Sequence, residues 1–318
     1  MSGPVVLPET AAVLEMLAAQ EGPHLAEMEA PVARETYNAL GELFDEPAST
    51  AVRTVDFAGP NSPMRAYFPG GSEGGPVIVY MHGGGWVIGD LETHHALCAL
   101  IAEISGNRVV AVDYRLAPEH PYPAAHEDCL AAAKFIADSP SVLETPVPAI
   151  AVAGDSAGGN LACHVAASMG RTRVIAQLLI YPVLDCTGPQ HGSYVEFAEG
   201  YLLDRRLMDR FLRDYLPDDQ HRRHRDVSPL LHDVPSDFPP AVILTAGLDP
   251  LRDQGRALAE AMIANGLQAH YVEAEGLIHG LATMRKAFPT GDTIIRRASA
   301  FFAEIMRLTD ANSSAPSG

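Results

Sequence analysis

The sequence has little positive charge, and this shortage excludes several kinds of partner. Its 318 residues include 22 lysines and arginines against 40 aspartates and glutamates, a formal net charge of −18 at pH 7. Nucleic acids and anionic membrane surfaces are bound through positively charged faces, so we expect neither as a partner. Only Lys134 and Lys286 are lysines, a bias that we attribute to genome composition rather than to function.

Long apolar runs and targeting signals are also missing. No stretch approaches the roughly 18 uninterrupted apolar residues that indicate a membrane-spanning helix. The first residues contain no basic segment and reach Glu9 and Glu15 early, which argues against a secretory signal peptide. These features predict a cytoplasmic protein.

Cysteine is scarce, and its spacing matches no zinc-binding motif. The four cysteines are Cys98, Cys129, Cys163 and Cys186. They could form disulfides in an exported protein, whereas a cytosolic enzyme of this size keeps them as buried free thiols. We expect buried free thiols, and the sequence predicts neither a metal site nor a cofactor.

Alternating strands and helices organise most of the chain. A predicted hairpin, Val52–Phe57 and Met64–Phe68, precedes a series of short apolar runs that helical segments separate. The further predicted strands are Val77–Met81, Val109–Asp113, Ile150–Ala153, Val174–Tyr181, Val242–Thr245 and Ala269–Val272. Most of these runs are continuously apolar, which is typical of strands buried on both faces of a parallel sheet. The pattern predicts one large α/β domain with helices on both faces of a mostly parallel sheet.

Three segments fall outside this alternation. Residues 1–48 contain two amphipathic helical patterns that come before the first strand. Residues 185–240 contain no clear strand and include a helical pattern at 204–216, so we expect this insertion to form a lid over the α/β domain at 49–310. Residues 311–318 are small and polar, and we predict a disordered tail.

The pentapeptide Gly154–Gly158 places a serine between a strand and a helix. Ser156 follows a predicted strand and precedes the helical segment 157–169, the context in which a G-x-S-x-G sequence forms a nucleophile elbow. The glycines permit a sharp turn, and the N-terminus of the helix favours negative charge in front of it. The alternative is a chance match in a glycine-rich chain, with the serine serving only as a helix cap. The context favours a nucleophile.

A second glycine-rich run, His82–Trp86, comes directly after the predicted strand Val77–Met81. A phosphate-binding loop would need a following lysine with serine or threonine, or a G-x-G-x-x-G spacing, and neither is present. With a serine nucleophile downstream, backbone N–H groups of this run are suited to stabilise an oxyanion. The predicted donors are the N–H groups of Gly84, Gly85 and Ala157.

Chain order selects one acid and one histidine as partners of Ser156. In a strand-turn-helix site of this kind the acid follows the nucleophile, and the histidine follows the acid. Asp249 comes directly after a predicted strand, whereas Asp253 already lies in the next helix and is expected to make supporting hydrogen bonds. Of the two later histidines, His270 lies within a strand and His279 lies in a glycine-flanked loop. We therefore predict that His279 takes the serine proton and that Asp249 orients the imidazole.

Together these motifs resemble the bacterial hormone-sensitive-lipase-like carboxylesterases, or family IV esterases, of the α/β-hydrolase fold. The matching segments are His82–Trp86, Asp113–Glu119, Gly154–Asn160, Asp249–Asp253 and His279–Gly280. The resemblance implies an eight-stranded sheet with an antiparallel second strand, and a cap made of the N-terminal helices and residues 185–240. It also implies that His82 and Gly83 shape their loop without reacting, and that Tyr114–Glu119 is structural.

Substrate preference is expected to depend on the cap. Candidate pocket residues are Trp86, Asp155, Tyr194, Phe197, Tyr201, Leu202, Leu203, Phe211, Leu212 and Ile278. The resemblance implies small uncharged esters with short to medium acyl chains as substrates, and it leaves a homodimer open. Three alternatives remain: an amide hydrolase with the same triad, a less favoured peptidase, and a non-catalytic binder, which would usually lack a triad member.

Overall fold

An eight-stranded sheet forms the centre of the computed structural model, which describes residues 3–19, 22–72, 74–188 and 192–313. The strands are β1 Val52–Ala58, β2 Pro63–Pro69, β3 Val77–Met81, β4 Arg108–Val112, β5 Ile150–Asp155, β6 Val174–Ile180, β7 Ala241–Leu248 and β8 Ala269–Ile278. Their order across the sheet is β1-β2-β4-β3-β5-β6-β7-β8. β2 pairs antiparallel with β1 and β4, and the other neighbours are parallel. The sheet and its antiparallel second strand confirm the predicted topology.

Helices cover both faces of the sheet because both faces of its central strands are apolar. The helices are α1 Pro8–Ala18, α2 Ala30–Phe44, α3 His95–Ser105, α4 Ala124–Ala137, α5 Ala157–Met169, α6 Gly192–Glu196, α7 Arg205–Tyr215, α8 Arg252–Ala264 and α9 Pro289–Ser313. In β3, Val79 and Met81 belong to the core beneath α4, α5 and α8, whereas Ile78 and Tyr80 belong to the core beneath α3 and α9. The alternation of side chains along a strand thus supplies two cores at once.

The N-terminal segment and the 185–240 insertion contact each other. Asp204 caps α7 by accepting a hydrogen bond from Leu207 N at 2.8 Å, and its other carboxylate oxygen lies 3.3 Å from Nε2 of His24. Arg210 on α7 donates to the carbonyl oxygen of Met28 at 2.7 Å. These contacts join the first residues of the chain to the insertion, although more than 170 positions separate them.

The last helix is longer than the sequence predicts. Residues 311–313, predicted to begin a disordered tail, have helical backbone and continue α9, while 314–318 lie outside the described residues. All four cysteines are buried free thiols, as expected from the sequence. In the described part of the chain, no helix combines the length and apolar character needed to cross a membrane.

Candidate active site

Ser156 lies at the sharp turn between β5 and α5. Its backbone has φ 54° and ψ −119°, a region that residues with a side chain rarely occupy. Three hydrogen bonds hold this conformation: Ser156 N donates to the Ile180 carbonyl at 2.9 Å, while Asn160 N and Val183 N donate to the Ser156 carbonyl at 3.2 and 3.1 Å. The turn therefore presents the serine side chain at the carboxyl edge of the sheet.

The glycines on either side of the serine allow β3, β5 and α5 to approach closely. A Cβ atom at Gly154 would overlap the carbonyl group of Gly158, and one at Gly158 would overlap the carbonyl oxygen of Met81. Both obstacles are backbone atoms, which cannot move aside as a flexible side chain can. The turn predicted from the pentapeptide thus depends on glycine for space.

The structure brings together the three residues predicted to form the triad. His279 Nε2 lies 3.0 Å from Ser156 Oγ, and His279 Nδ1 lies 2.7 Å from Asp249 Oδ2. Asp249 is fully buried, and its Oδ1 accepts a hydrogen bond from Leu251 N at 2.8 Å. If Nδ1–H donates to the carboxylate, Nε2 is left to accept the serine proton. The geometry is that of a nucleophile, a base and an orienting acid.

Strand pairing explains why Asp249 and His279 meet. β7 and β8 run parallel with Leu248 opposite Ile278, so the residue that follows each strand reaches the same edge. β8 is longer than predicted because it continues to Ile278, which pairs with Leu248, and its last two residues, Leu277 and Ile278, are buried. His279 therefore follows the strand directly rather than standing in an extended loop. The register shifts between Ala246 and Leu248, so that this short part of β7 lies opposite a longer part of β8, from Ala274 to Ile278.

The two residues set aside on sequence grounds lie elsewhere. His270 is near the start of β8, where its ring packs against Phe301 at 4.6 Å between centroids and Nε2 lies 2.9 Å from the Gln268 amide. Asp253 accepts a hydrogen bond from Ser193 N at 2.9 Å and pairs with Arg252. Asp253 therefore ties α6 to the segment that follows Asp249, a supporting role as the sequence indicates.

The glycine loop after β3 has a backbone that only glycine adopts readily. Gly84 and Gly85 have φ values of 113° and 58°. A Cβ atom at Gly84 would overlap the carbonyl of Ile88, whose N–H donates to the Gly84 carbonyl at 2.9 Å. A Cβ atom at Gly85 would overlap the ring of Phe211 on α7. The cap therefore packs directly on the backbone of this loop.

Asp155 anchors the first glycine of the loop. Asp155 Oδ1 accepts hydrogen bonds from Gly83 N at 2.9 Å and from the Tyr80 hydroxyl at 2.8 Å, and it lies 3.1 Å from His94 Nε2. Burial opposes the charge, but the His94 ring and the Tyr80 hydroxyl outweigh it and hold the pKa of Asp155 below its ordinary value. Because the Gly83 N–H is committed to Asp155, the next two N–H groups are the candidate oxyanion donors.

His82 and the Tyr114–Glu119 segment support the loop from below. The Tyr114 hydroxyl donates to the His82 carbonyl at 2.7 Å, and the two rings stack at 4.2 Å. Burial, together with the neighbouring His94, lowers the pKa of His82 to about 4, so its ring is neutral at pH 7. Ala117 N donates to the Trp86 carbonyl at 2.8 Å. These contacts fix the backbone on both sides of the glycines.

An apolar cavity lies between the cap and the Ser156 edge of the sheet. Its empty volume is about 890 Å³, and this figure includes space that is open to solvent. Five of the ten candidate pocket residues line it, namely Trp86, Asp155, Leu202, Leu203 and Phe211. Trp86 is held by stacking on Tyr215 at 4.1 Å with an interplanar angle of 8°. In the described part of the chain, no group of three or more histidine, cysteine or carboxylate side chains is placed to hold a metal ion.

The other five candidates are not among the residues that line this cavity. These residues are Tyr194, Phe197, Tyr201, Leu212 and Ile278. Ser193 Oγ donates to the Pro250 carbonyl at 2.9 Å and turns α6 towards α8, where the Arg252 guanidinium lies 4.9 Å from the Phe197 ring. Tyr201 packs on the edge of that ring. Ile278 is inside β8, and Leu212 lies in the core beneath α7.

Several lining residues were not predicted from the sequence. They come from the N-terminal segment, from α7 and from the turn after His279: Leu25, Tyr37, Leu40, Gly41, Leu207, Met208, Thr283 and Met284. For Tyr37, Leu40 and Gly41, the sequence offered only the amphipathic pattern of α2. Such a pattern indicates that one face of the helix is buried, but it does not show what that face covers. The position of α2 over the site depends on contacts with residues far away in the sequence, such as the one from Arg34 to the Val87 carbonyl.

Comparisons with known proteins agree with this architecture. Residues 78–283 match a family model described as the α/β-hydrolase fold. The chain is 40% identical to the esterase LipI of Mycobacterium tuberculosis over 76% of this chain and 78% of that protein. It is 34% identical to an ethyl acetate hydrolase of Pseudomonas putida, over 83% of this chain and 87% of that protein.

A solved structure gives the same result. An α/β-hydrolase enzyme from the metagenome of Lake Arreo, Spain, superposes with a TM-score of 0.87 at 38% identity and covers 94% of this chain and 98% of its own. The sheet, the elbow, the glycine loop and the sequence relatives therefore agree on one assignment. The chain belongs to the hormone-sensitive-lipase-like carboxylesterases of the α/β-hydrolase fold.

Proposed function

We propose that this carboxylic ester hydrolase uses Ser156 as its nucleophile, His279 as its general base and acid, and Asp249 as the group that orients the histidine. The observation that carries the proposal is the continuous hydrogen-bonded chain of 2.7 Å from Asp249 to His279 and 3.0 Å from His279 to Ser156. It begins at a buried carboxylate and ends at a serine held in a strained turn. Such a chain is the arrangement that activates a serine hydroxyl.

The first half of the reaction acylates the serine. Ser156 Oγ attacks the ester carbon while its proton passes to His279 Nε2, and the carbonyl oxygen becomes an oxyanion. The N–H groups of Gly84, Gly85 and Ala157 are the proposed donors to that oxygen, and the N-terminus of α5 adds a favourable potential. When the tetrahedral intermediate collapses, the alcohol oxygen takes the proton from Nε2 and leaves.

The second half releases the acid. A water molecule takes the place of the alcohol, gives its proton to His279 Nε2 and attacks the acyl carbon. Collapse of the second intermediate returns the proton to Ser156 Oγ and frees the carboxylic acid. Asp249 stays ionised throughout and stabilises the imidazolium that forms in both halves.

Uncharged esters with short to medium acyl chains are the proposed substrates. The cavity wall is made mostly of leucine, methionine and aromatic side chains, which favour apolar groups. Its carboxylate, Asp155, is bound to Gly83 and Tyr80 and offers little to a charged ligand. The ethyl acetate hydrolase among the relatives supports a preference for small esters.

Replacing the nucleophile tests the mechanism. Ser156→Ala is expected to lower kcat on p-nitrophenyl butyrate by about 10⁶-fold, because Ser156 Oγ is the hydroxyl that lies within hydrogen-bond distance of His279 Nε2. Ser236→Ala, at an exposed serine of the insertion, is the matched control and should turn over like the wild type. Circular dichroism verifies that both variants are folded. Undiminished turnover by folded Ser156→Ala would contradict the proposal.

An amide hydrolase with the same triad is the second candidate. Expulsion of an amine needs stronger protonation of the leaving nitrogen than expulsion of an alcohol. Parallel assays with p-nitrophenyl butyrate and the matching p-nitroanilide separate the two, and we expect faster turnover of the ester.

We also propose that the protein acts in the cytoplasm, where its four buried thiols would stay reduced. Cell fractionation tests this location. The homodimer that the resemblance allows is tested by analytical ultracentrifugation of the purified protein.

A further inference from the structure

Trp86, the residue directly after the glycine loop, has a strained backbone. Its φ is 61°, in the left-handed region that residues with bulky side chains rarely occupy. Such a conformation persists only where the surrounding structure holds it. The contacts that hold Trp86 therefore matter for the glycine loop that precedes it.

Hydrogen bonds fix the main chain after Trp86. The Trp86 carbonyl accepts from Ala117 N at 2.8 Å, and the Val87 carbonyl accepts from Arg34 Nε at 2.9 Å. Because the chain is anchored on this side, relaxation of the Trp86 φ would displace the residue before it, Gly85. The N–H of Gly85 is one of the proposed oxyanion donors, so the strain at Trp86 is coupled to the geometry of the oxyanion site.

One face of the cap helix α7 covers Gly85 and Trp86. Phe211 and Tyr215 lie four residues apart on this helix and therefore on the same side of it. The Phe211 ring fills the space that a Cβ atom at Gly85 would need. The Tyr215 ring stacks on the Trp86 indole, with 4.1 Å between the centroids and 8° between the planes. Both stacked rings are buried, so the indole cannot leave its place without displacing Tyr215.

Tyr215 is held in turn by its own hydrogen bonds. Its carbonyl accepts from Tyr122 N at 3.0 Å, and its hydroxyl lies 2.8 Å from His126 Nδ1. His126 Nε2 lies 3.1 Å from the Asp226 carbonyl, so in the neutral ring Nε2 donates to that carbonyl and Nδ1 accepts from the Tyr215 hydroxyl. Tyr215 is not among the residues that line the cavity, and any effect it has on the reaction must act through Trp86.

We propose that Tyr215 is a positioning residue for ester hydrolysis. Its ring, stacked on the indole, holds Trp86 in the strained conformation and thereby keeps the Gly85 N–H directed at the oxyanion. The proposal rests on the proposed mechanism, in which Gly85 is a donor. Loss of the stack should weaken stabilisation of the transition state and leave binding of the ground-state substrate nearly unchanged.

Three variants test the proposal. Tyr215→Leu removes the ring and should lower kcat on p-nitrophenyl butyrate by about 10²-fold with little change in KM, close to the loss of one oxyanion donor. Tyr215→Phe keeps the stack and removes the hydroxyl, so it should lose stability but keep the wild-type kcat. Tyr194→Leu is the matched control, at another buried tyrosine of the cap that does not line the cavity, and it should also keep the wild-type kcat.

An inhibitor and a spectroscopic signal report on the oxyanion site and on the stack. Ser156 Oγ adds to the carbonyl carbon of propyl trifluoromethyl ketone while His279 takes its proton, and the resulting anion needs the same donors as the reaction does. Its Ki should rise in Tyr215→Leu by the factor by which kcat/KM falls. Trp86 is the only tryptophan in the sequence, so tryptophan fluorescence observes the stack directly. Acrylamide should quench it more strongly in Tyr215→Leu than in the wild type, and equally in Tyr215→Phe.

A wild-type kcat in folded Tyr215→Leu overturns the proposal. An equal loss of kcat in Tyr194→Leu also overturns it, since any weakening of the cap would then have the same effect. An equal loss in Tyr215→Phe would assign the effect to the hydroxyl instead of the stack. Tyr215→Met fills more of the space of the ring without stacking, and it provides the same comparison if the leucine variant does not fold. Failure of the wild-type protein to hydrolyse the ester would instead contradict the ester hydrolase function itself.

Discussion

At the scale of single residues, the site depends on backbone positions that admit no side chain. Gly84→Ala would place a methyl group on the carbonyl of Ile88 at a φ of 113°, so the loop must shift and carry the Gly84 N–H with it. If the Gly84 N–H is the oxyanion donor we propose, kcat should fall by about 10²–10³-fold, the cost of losing one such donor. The measurement is steady-state hydrolysis of p-nitrophenyl butyrate.

A glycine outside the site provides a control that distinguishes backbone strain from displacement of the proposed oxyanion donor. Gly106, after the end of α3, also has positive φ, at 66°, but a Cβ atom there would meet nothing within 4 Å. Gly106→Ala should lower stability by about 1 kcal/mol through backbone strain and leave kcat unchanged. An equal loss of kcat in both variants would mean that the backbone strain of alanine at a positive φ, and not displacement of the Gly84 N–H, lowers turnover.

At the scale of secondary-structure elements, α7 forms much of the roof of the cavity, and its start depends on one carboxylate. Asp204→Ala removes the acceptor for Leu207 N and should cost about 1 kcal/mol of folding free energy. KM should rise as well, because Leu207, Met208 and Phe211 of α7 line the cavity. Urea denaturation and steady-state kinetics measure the two effects.

Asp204→Asn distinguishes capping from charge. Asparagine caps a helix about as well as aspartate does, but it replaces the carboxylate whose Oδ2 lies 3.3 Å from His24 Nε2. The asparagine variant should therefore keep most of the stability that the alanine variant loses. Equal destabilisation of both would show that the contact with His24, rather than the cap, stabilises α7.

Elements buried on both faces could be predicted from the sequence, because continuous apolar runs between turn residues have few alternative structures. The sharp turn at Ser156 was also predictable, because Gly154 and Gly158 stand where only glycine leaves room for the neighbouring backbone. The order of Asp249 and His279 along the chain then selected the rest of the proposed triad.

The cap could be predicted less well because its contacts connect distant parts of the chain. Phe197 is an aromatic residue of the insertion, as a pocket residue would be, but it directly follows α6, which the Ser193–Pro250 bond ties to the segment before α8, and its ring contacts Arg252. Tyr37 has only a helical pattern to identify it, and its place in the wall depends on how α2 packs on the glycine loop. Arg34, which donates to the carbonyl of Val87 at 2.9 Å, fixes that packing.

At the scale of the whole molecule, buried neutral histidines make stability depend on pH. Burial, with His164 nearby, lowers the pKa of His126 to about 3, and burial with His94 lowers that of His82 to about 4. Both titrate near 6.5 in the unfolded chain, so below that pH the unfolded state binds more protons and the free energy of unfolding falls. Asp113 acts in the opposite direction, because burial raises its pKa to about 6 and the folded state gains stability on acidification.

A variant of His126 isolates one of these contributions. The ring lies 2.8 Å from the Tyr215 hydroxyl and 3.1 Å from the Asp226 carbonyl, so His126→Gln should be less stable than the wild type at pH 7. Between pH 7 and pH 5, however, it should lose about 2 kcal/mol less than the wild type, because it no longer carries a proton that only the unfolded chain can bind. Urea denaturation at both pH values measures the difference. Equal losses in the two proteins would show that the folded protein accommodates a protonated His126, and the neighbouring Asp226 would then be the group that pairs with it.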